Sequence, residues 1–391
     1  MSLRVFGCRL VFGLGVLAMV GLVGCGGGAG PDAAKPGSTG EAASASNSGA
    51  GDTAPADKGA GDKGAGEKGG AAIKTAAGKR PRVAYVTNGV ASFWTIAQKG
   101  AEAAGRDLDC DVDVKMPTAD SAVANQKRIL EELISAGTDG IAVSPIDPDN
   151  QTEILNTVAD ATNLITHDAD APKSKRLAYI GMDNYLAGRM CGQLVKEAMP
   201  EGGSLMIFVG RLEQLNAKLR RQGLIDELLD RSIDNTRYDA PGEVIKGEKY
   251  TILDTRTDNF DFAAAKALAE DAIAKHDDLG CMVGLFAYNP PYILEALTQA
   301  NKLGKIKVVA FDEDDKTLQA ILDGHCFGTV VQNPYQYGYQ SVKMLQAMAR
   351  GDKSALPADG FMNIDARKIV KANAAEFWDE LKKLTQPGEA K

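Results

Sequence analysis

Seven short segments of this chain bring together carboxylates, side-chain amides and aromatic rings. They are Thr87-Asn88-Gly89-Val90-Ala91-Ser92-Phe93-Trp94, Ser144-Pro145-Ile146-Asp147, His167-Asp168-Ala169, Asp258-Asn259-Phe260-Asp261, Tyr288-Asn289-Pro290, Phe311-Asp312-Glu313-Asp314 and Gln332-Asn333-Pro334. Carboxylates and amides offer paired hydrogen bonds to neighbouring hydroxyl groups, and Phe or Trp stacks on the apolar C–H face of a sugar ring. A phosphate site would call instead for a glycine-rich turn or a cluster of Arg and Lys, and few cations stand here. A polyol matches this mixture better than an anion does. Only three histidines occur, His167, His276 and His325. None is at metal-ligand spacing with another His or Cys, so no metal site is expected, and nothing calls for a cofactor.

Each segment has a strand or a helix to hold it. Apolar, β-branched runs read as strands at Arg82 to Thr87, Cys110 to Lys115, Gly140 to Ser144, Leu164 to His167 and Leu177 to Gly181. Further runs lie at Ser204 to Val209, Tyr250 to Asp254, Cys281 to Leu285, Ile306 to Ala310 and Gly328 to Val331. Between most of them runs one helix-length stretch with apolar residues at i, i+3 and i+4, such as Phe93 to Ala104, Ala122 to Ala136 and Ala263 to Ala274. This alternation predicts α/β architecture, with parallel sheets covered on both faces. Pro81 to about Leu384 is more than one hydrophobic core usually holds, so two doubly wound lobes are expected. Ligands of such sheets bind beyond the carboxyl ends of the strands, where the polar and aromatic segments fall.

The amino-terminal part carries no core. Arg4 and Arg9 precede an apolar run from Leu10 that closes on Leu22-Val23-Gly24-Cys25, a secretory signal too short for a membrane span. Its ending looks like the lipobox of bacterial lipoproteins, in which Cys25 becomes the lipidated first residue; residues 1–25 are therefore expected to be removed up to that cysteine. Residues 26–80 are almost entirely Gly, Ala, Ser, Asp, Lys and Pro, a flexible tether expected to span roughly 40 Å end to end. The GxGxxG matches at Gly59 to Gly64 and Gly64 to Gly69 carry no weight, since no strand precedes them and no helix follows. The net charge of −8 argues against a nucleic-acid partner. An exported body permits disulfides among Cys110, Cys191, Cys281 and Cys326. Spacing leaves the pairing open, although Cys281 in its apolar run reads as a buried thiol.

Four further pieces sharpen the reading: Val308-Val-Ala-Phe-Asp-Glu-Asp, Gly328-Thr-Val-Val-Gln-Asn-Pro-Tyr-Gln-Tyr-Gly, Ile141-Ala-Val-Ser-Pro-Ile-Asp-Pro and Asn216-Ala-Lys-Leu-Arg-Arg-Gln-Gly. In order and spacing they resemble the periplasmic sugar-binding proteins of the ribose, xylose and galactose type, over nearly all of Arg82 to Leu384. The resemblance implies a ligand cleft between two lobes joined by a three-strand hinge. It places one lobe at 81–182 plus 333–362 and the other at 183–332 plus 363–391, with crossings near Met182 to Asn184, Gln332 to Asn333 and Phe361 to Asp365. It further implies ligand contacts from Phe93, Trp94, Phe260, Asp168, Asn289, Asp312 and Gln332. Ser144, Asn216 and Lys218 join them, the last at a position where an arginine is common. The chain departs from the ribose pattern in having Ala91 and Ser144 in place of asparagines and Ala169 in place of an arginine.

What the resemblance implies for function is binding, not catalysis. A monosaccharide or similar polyol would be bound and delivered by hinge closure to an ABC transporter permease, by a monomer held to a cell-envelope membrane through Cys25. A sugar-sensing subunit for a chemoreceptor or signalling kinase is the alternative. Asp168 and Asp312 could face each other as a glycosidase pair, but no nucleophile with an adjacent base accompanies them. Each site residue also has a plainer role open to it. Phe93 and Trp94 begin an amphipathic helix as core residues do, and Asn289 precedes Pro290 and Pro291 as a turn residue does. Asp168 and Asp312 could cap the next segment; Asp314 or Asp315 is the better cap for the helix toward Asp323.

Overall fold

The computed structural model describes residues 78–118 and 122–385. The lipobox, Cys25 and nearly all of the tether lie outside the described residues. The first stretch of chain runs β1 (Arg82–Val86), α1 (Ser92–Asp107), β2 (Asp111–Lys115), α2 (Ala122–Ser135), β3 (Gly140–Val143), α3 (Thr152–Ala161), β4 (Asn163–His167) and β5 (Ala178–Gly181). It is followed by α4 (Asn184–Ala198), β6 (Gly203–Val209), α5 (Leu215–Leu228), β7 (Ile245–Lys246), β8 (Tyr250–Thr257), α6 (Phe262–Lys275) and β9 (Leu279–Gly284). Next come α7 (Asn289–Gln299), β10 (Lys307–Phe311), α8 (Asp315–Asp323) and β11 (Gly328–Val331). The chain ends in α9 (Pro334–Ala349), β12 (Phe361–Asn363), β13 (Arg367–Val370) and α10 (Ala374–Thr385).

Two sheets result, ordered β12-β5-β4-β3-β1-β2 and β13-β11-β10-β9-β6-β8-β7. Leaving out β7, each sheet repeats one doubly wound pattern: the second long strand lies outside the first, and the later strands add on the other side. The strand order reverses between β1 and β3 in one sheet and between β6 and β9 in the other, where a ligand crevice opens. β1, β3, β4 and β5 are buried almost throughout, as strands covered on both faces must be. Their side chains enter two apolar clusters of the first lobe, one around Tyr85, Ile165 and Leu345 and one around Val86, Ile141 and Leu164. Equivalent clusters flank the second sheet.

All ten expected strands are present, with ends shifted by a few residues. β7, β12 and β13 add to them. The first lobe recovers α9, which packs on α1, β1, β3 and β4, and the second holds α4, which packs on α5, β10 and β11. The chain thus passes between the sheets after β5, after β11 and after β12. β12 runs to Asn363, paired with Gly181, one residue beyond the 333–362 segment read from the sequence.

Two local devices hold the strand ends that matter. Gln126 of α2, fully buried, donates from Nε2 to the carbonyls of Thr87 at 2.7 Å and Ser144 at 2.8 Å, tying the ends of β1 and β3 together. In the second lobe, Gly188 and Gly223 let α4 and α5 touch backbone to backbone. A Cβ at Gly188 would lie 2.1 Å from the carbonyl oxygen of Arg220, and one at Gly223 2.0 Å from that of Tyr185. Any larger residue would push α5, and Arg220 with it, away from its place.

Candidate functional site

Both lobes end their fourth doubly wound strand in the same way. Asp168 follows β4 and Asp312 follows β10, each at a left-handed φ, 57° and 67°. Each continues its strand's ladder by one bond, Asp168 N–H to the Ile180 carbonyl at 3.0 Å and Asp312 N–H to the Val330 carbonyl at 2.8 Å. The turn to positive φ aims each carboxylate across the crevice. Asp tolerates this conformation because its short side chain can bond locally. Phe260, after β8, also sits at a positive φ of 65°. For a bulky aromatic residue that is a true outlier of the kind that collects at ligand sites.

A cavity lined from both lobes lies where these ends meet. Its first-lobe wall is aromatic. Phe93 and Trp94 meet edge to face with ring centroids 4.8 Å apart, and Trp94 rests edge-on against His167 at 5.7 Å. Behind them Tyr85 stacks on His167 at 4.0 Å, its hydroxyl 3.0 Å from Nδ1, while Nε2 lies 3.1 Å from the Val86 carbonyl. Burial drives the His167 pKa down to about 3, so the imidazole is neutral and supports the wall without adding charge. Phe93 and Trp94 are therefore core residues and cavity lining at once.

The polar contacts centre on Arg220, which is 1 % exposed. Its guanidinium lies 3.5 Å from Asp168 and 3.8 Å from Asp312, so one cation of the second lobe reaches the aspartates of both. Nε donates to Asn184 Oδ1 at 2.8 Å and Nη1 to the Leu285 carbonyl at 3.3 Å. The guanidinium also lies over the ring of Phe311, 4.5 Å from its centroid. Asp168 accepts further bonds from Ser144 Oγ at 3.1 Å, Asn216 Nδ2 at 3.3 Å and Asn88 Nδ2 at 3.5 Å. Asp312 accepts from Gln332 Nε2 at 2.6 Å, and Gln332 Oε1 accepts from Tyr337 at 3.1 Å. Burial nevertheless outweighs these partners, raising the Asp168 pKa and lifting that of Asp312 to about 6.

Of the residues expected from the sequence, Phe93, Trp94, Asp168, Asn216, Phe260, Asp312 and Gln332 line this cavity. Ser144 stands behind Asp168, as its hydrogen-bond donor. Asn289 is turned away. Its Oδ1 accepts from Phe286 N at 3.1 Å and its Nδ2 donates to Asp258 at 2.8 Å, so it braces the turn that carries Phe286, Ala287 and Tyr288 to the cavity. Asp258 also receives the Tyr288 hydroxyl, and burial raises its pKa to about 6.

Lys218 is not among the residues that line this cavity, whereas Arg220, two positions further on, is. On α5 the residue four after Asn216 shares its face, whereas the residue two after points to another. Helical spacing from Asn216 was the signal that could have found Arg220. Asp314, as expected, caps α8 by accepting from Lys316 N at 2.9 Å, and its carboxylate also receives Ser92 Oγ of the first lobe at 3.0 Å. That frees Asp312 to face the cavity. Asn88, Gln214, Phe286 and Tyr288 complete the lining without having been singled out. The four cysteines of the body are free and buried, Cys281 among them. Among the described residues no three His, Cys, Asp or Glu side chains gather as metal ligands.

Two α/β lobes with a cavity at their paired switch points describe a class of binding protein, and the chain's own residues match that class. Residues 82–353 fit the periplasmic binding protein domain, and the chain belongs to that family. It is similar to the ribose import binding protein of Escherichia coli, 24 % identical over 246 residues, covering 62 % of this chain and 75 % of that one. The D-ribose/D-allose-binding protein of Pseudomonas aeruginosa is 23 % identical over 275 residues, 67 % of this chain and 80 % of the relative. Among solved structures, an ABC transporter solute-binding protein from Burkholderia graminis in complex with D-arabinose superposes with a TM-score of 0.67 at 25 % identity, covering 75 % of this chain and 96 % of that one.

Proposed function

We propose that this chain binds a monosaccharide or similar polyol between its lobes and hands it to an ABC transporter permease, without chemical change. The observation that carries this reading is the pair of equivalent aspartates, one from each lobe, held about one arginine and flanked by aromatic rings. Carboxylates accept hydrogen bonds from ligand hydroxyls, the guanidinium donates to them, and Trp94, Phe93 and Phe260 cover the C–H faces. In this reading Phe93, Trp94, Asp168, Asn216, Arg220, Phe260, Asp312 and Gln332 form the ligand shell.

Closure follows from where the contacts lie. Ser92 to Asp314, Asn216 to Asp168 and Arg220 to Asp168 all cross the cleft. A ligand touching both lobes binds the closed form better than the open one, and by that difference it shifts the hinge. The family is periplasmic. A body tethered as a monomer to the envelope through Cys25, with residues 26–80 as its leash, suits capture and delivery at a membrane transporter.

The test is a thermal-shift screen of the purified body against pentoses, hexoses, deoxysugars and inositols. A cognate sugar at 100 times its Kd stabilises the fold by about 2.7 kcal/mol. The same sugar changes the fluorescence of Trp94, and Trp94→Phe removes that change. No stabilisation by any polyol, or a full fluorescence response in Trp94→Phe, would overturn the reading.

A further inference from the structure

Gln214 closes the connection from β6 to α5, where the strand order of the second sheet reverses. It is wholly buried and occupies the N-cap position of α5, yet its side chain makes no capping hydrogen bond. Neither Oε1 nor Nε2 has a partner in the protein, and the side chain lines the cavity. A buried amide left in this state keeps the full desolvation cost of both its polar atoms. Ser, Thr, Asp or Asn would have capped the helix and removed that cost. The equivalent position in the first lobe, the N-cap of α1, is Ala91.

The other amides of the lining are engaged. Asn216 donates to Asp168 and accepts its neighbour's Ala217 N–H at 2.8 Å. Gln332 donates to Asp312 and accepts from Tyr337. Asn88 donates to Ser144 Oγ, and only its Oδ1 is without a partner. Asp168 and Asp312 can only accept while ionised, and Arg220 can only donate. Among the described residues of the lining, Gln214 alone has both a donor and an acceptor to give.

Resting on the polyol reading above, we propose that Gln214 is a specificity-determining residue that reads two adjacent hydroxyls of the ligand. Nε2 donates to the oxygen of one and Oε1 accepts the hydrogen of the other. A carboxylate could not do both, and the methyl group of Ala91 could do neither. The ligand thereby satisfies the two amide atoms that the protein's own groups leave unpaired.

Calorimetry of the wild type and Gln214→Leu tests this, using the sugar from the screen together with its singly deoxygenated analogues. The wild type should reject an analogue lacking one of the two adjacent hydroxyls by about tenfold or more, and in Gln214→Leu that ratio should fall to within about twofold. Ratios for hydroxyls elsewhere on the ring should persist. The ligand-free melting temperature of Gln214→Leu should equal or exceed that of the wild type, since two orphan polar atoms are gone; Gln214→Ala should give the same pattern of ratios if leucine packs too tightly. A uniform loss across all analogues, or unchanged ratios throughout, would overturn the role. A wild type that binds no polyol at all would overturn this inference and the parent reading together, and so is distinct from a failure seen only in the variant.

Discussion

In the first lobe, the helix after the opening strand begins with Ala91 and then sets Phe93 and Trp94 against the cavity. In the second, the corresponding helix begins with Gln214 and then sets Asn216 and Arg220 there. The backbone plan is common to both, and so is the aspartate after the fourth strand. Around that shared frame the first lobe has built a cluster of rings, Phe93 and Trp94 edge-on before His167 stacked on Tyr85, in which the buried imidazole stays uncharged. The second has built the cation and three of the four lining amides, Gln214, Asn216 and Gln332, and holds Arg220 by the close contact of α4 with α5. Duplicated geometry with divided chemistry lets one lobe supply a preformed surface for the ligand while the other supplies discrimination. It also leaves two buried carboxylates depending on a single guanidinium.

That dependence gives the largest expected effect. Arg220→Met removes the guanidinium that lies against both Asp168 and Asp312 and leaves two buried carboxylates without it. Breaking such a set from one side costs about 3–5 kcal/mol, read as a lower urea midpoint at unchanged m-value, and sugar binding should be lost in calorimetry. Arg220→Lys should restore part of the stability but not the reach to both aspartates, because an ammonium is a single point of charge. A stability within about 1 kcal/mol of wild type for Arg220→Met would mean that the two aspartates are protonated in the ligand-free protein, and the second lobe would no longer be the one that governs charge.

The lobes were legible in the chain for different reasons. The first lobe's strands are short apolar runs with sharp ends, and its aromatic pair lies next in sequence to the helix start, so pattern and site coincide. Asp168, Asp312 and Phe260 were found because each follows a strand directly. Arg220 was missed because its place depends on the helical face it shares with Asn216, and a linear match put the charge at Lys218. Gln214 left no signal, since a glutamine before a helix looks like any loop residue until its burial is known. Asn289 and Tyr288 exchange roles in a similar way: the turn spends the amide on Phe286 and Asp258 and sends the neighbouring ring to the cavity. β12 and β13 are too short for periodicity to reveal; their pairing partners, β5 and β11, lie about 180 and 40 residues away in the chain.

A smaller effect separates the lobes by pH. Burial raises Asp258 in the second lobe to about 6, so its folded state holds a proton that the unfolded state has lost between about pH 4 and 6. The stability this contributes is present below about pH 4 and disappears as the pH rises through about 6. His167 in the first lobe works in the opposite sense: lowered to about 3, it contributes stability above about pH 6.5 that is lost as the pH falls through about 3. Asp258→Asn should lower the baseline, because its amide would face the Nδ2 of Asn289. It should also erase a fall of about 2–3 kcal/mol in unfolding free energy between pH 4 and 7, measured by urea titration at both ends. An unchanged slope would show that Asp258 is ionised throughout.

The smallest expected effect tests the corrected register of α5. Lys218 is half-buried outside the cavity, and its charge is felt by Asp149 of the first lobe. Asp149 is exposed and is already paired with Lys173 at 2.8 Å, so its attraction to Lys218 is weak and screened by salt. Lys218→Met should leave sugar affinity within about twofold of wild type, with the difference vanishing as ionic strength rises. A loss as large as that of Arg220→Met, persisting in high salt, would restore the lysine to the site. The division of labour between the lobes would then rest on an ammonium outside the cavity rather than on a guanidinium held between two aspartates.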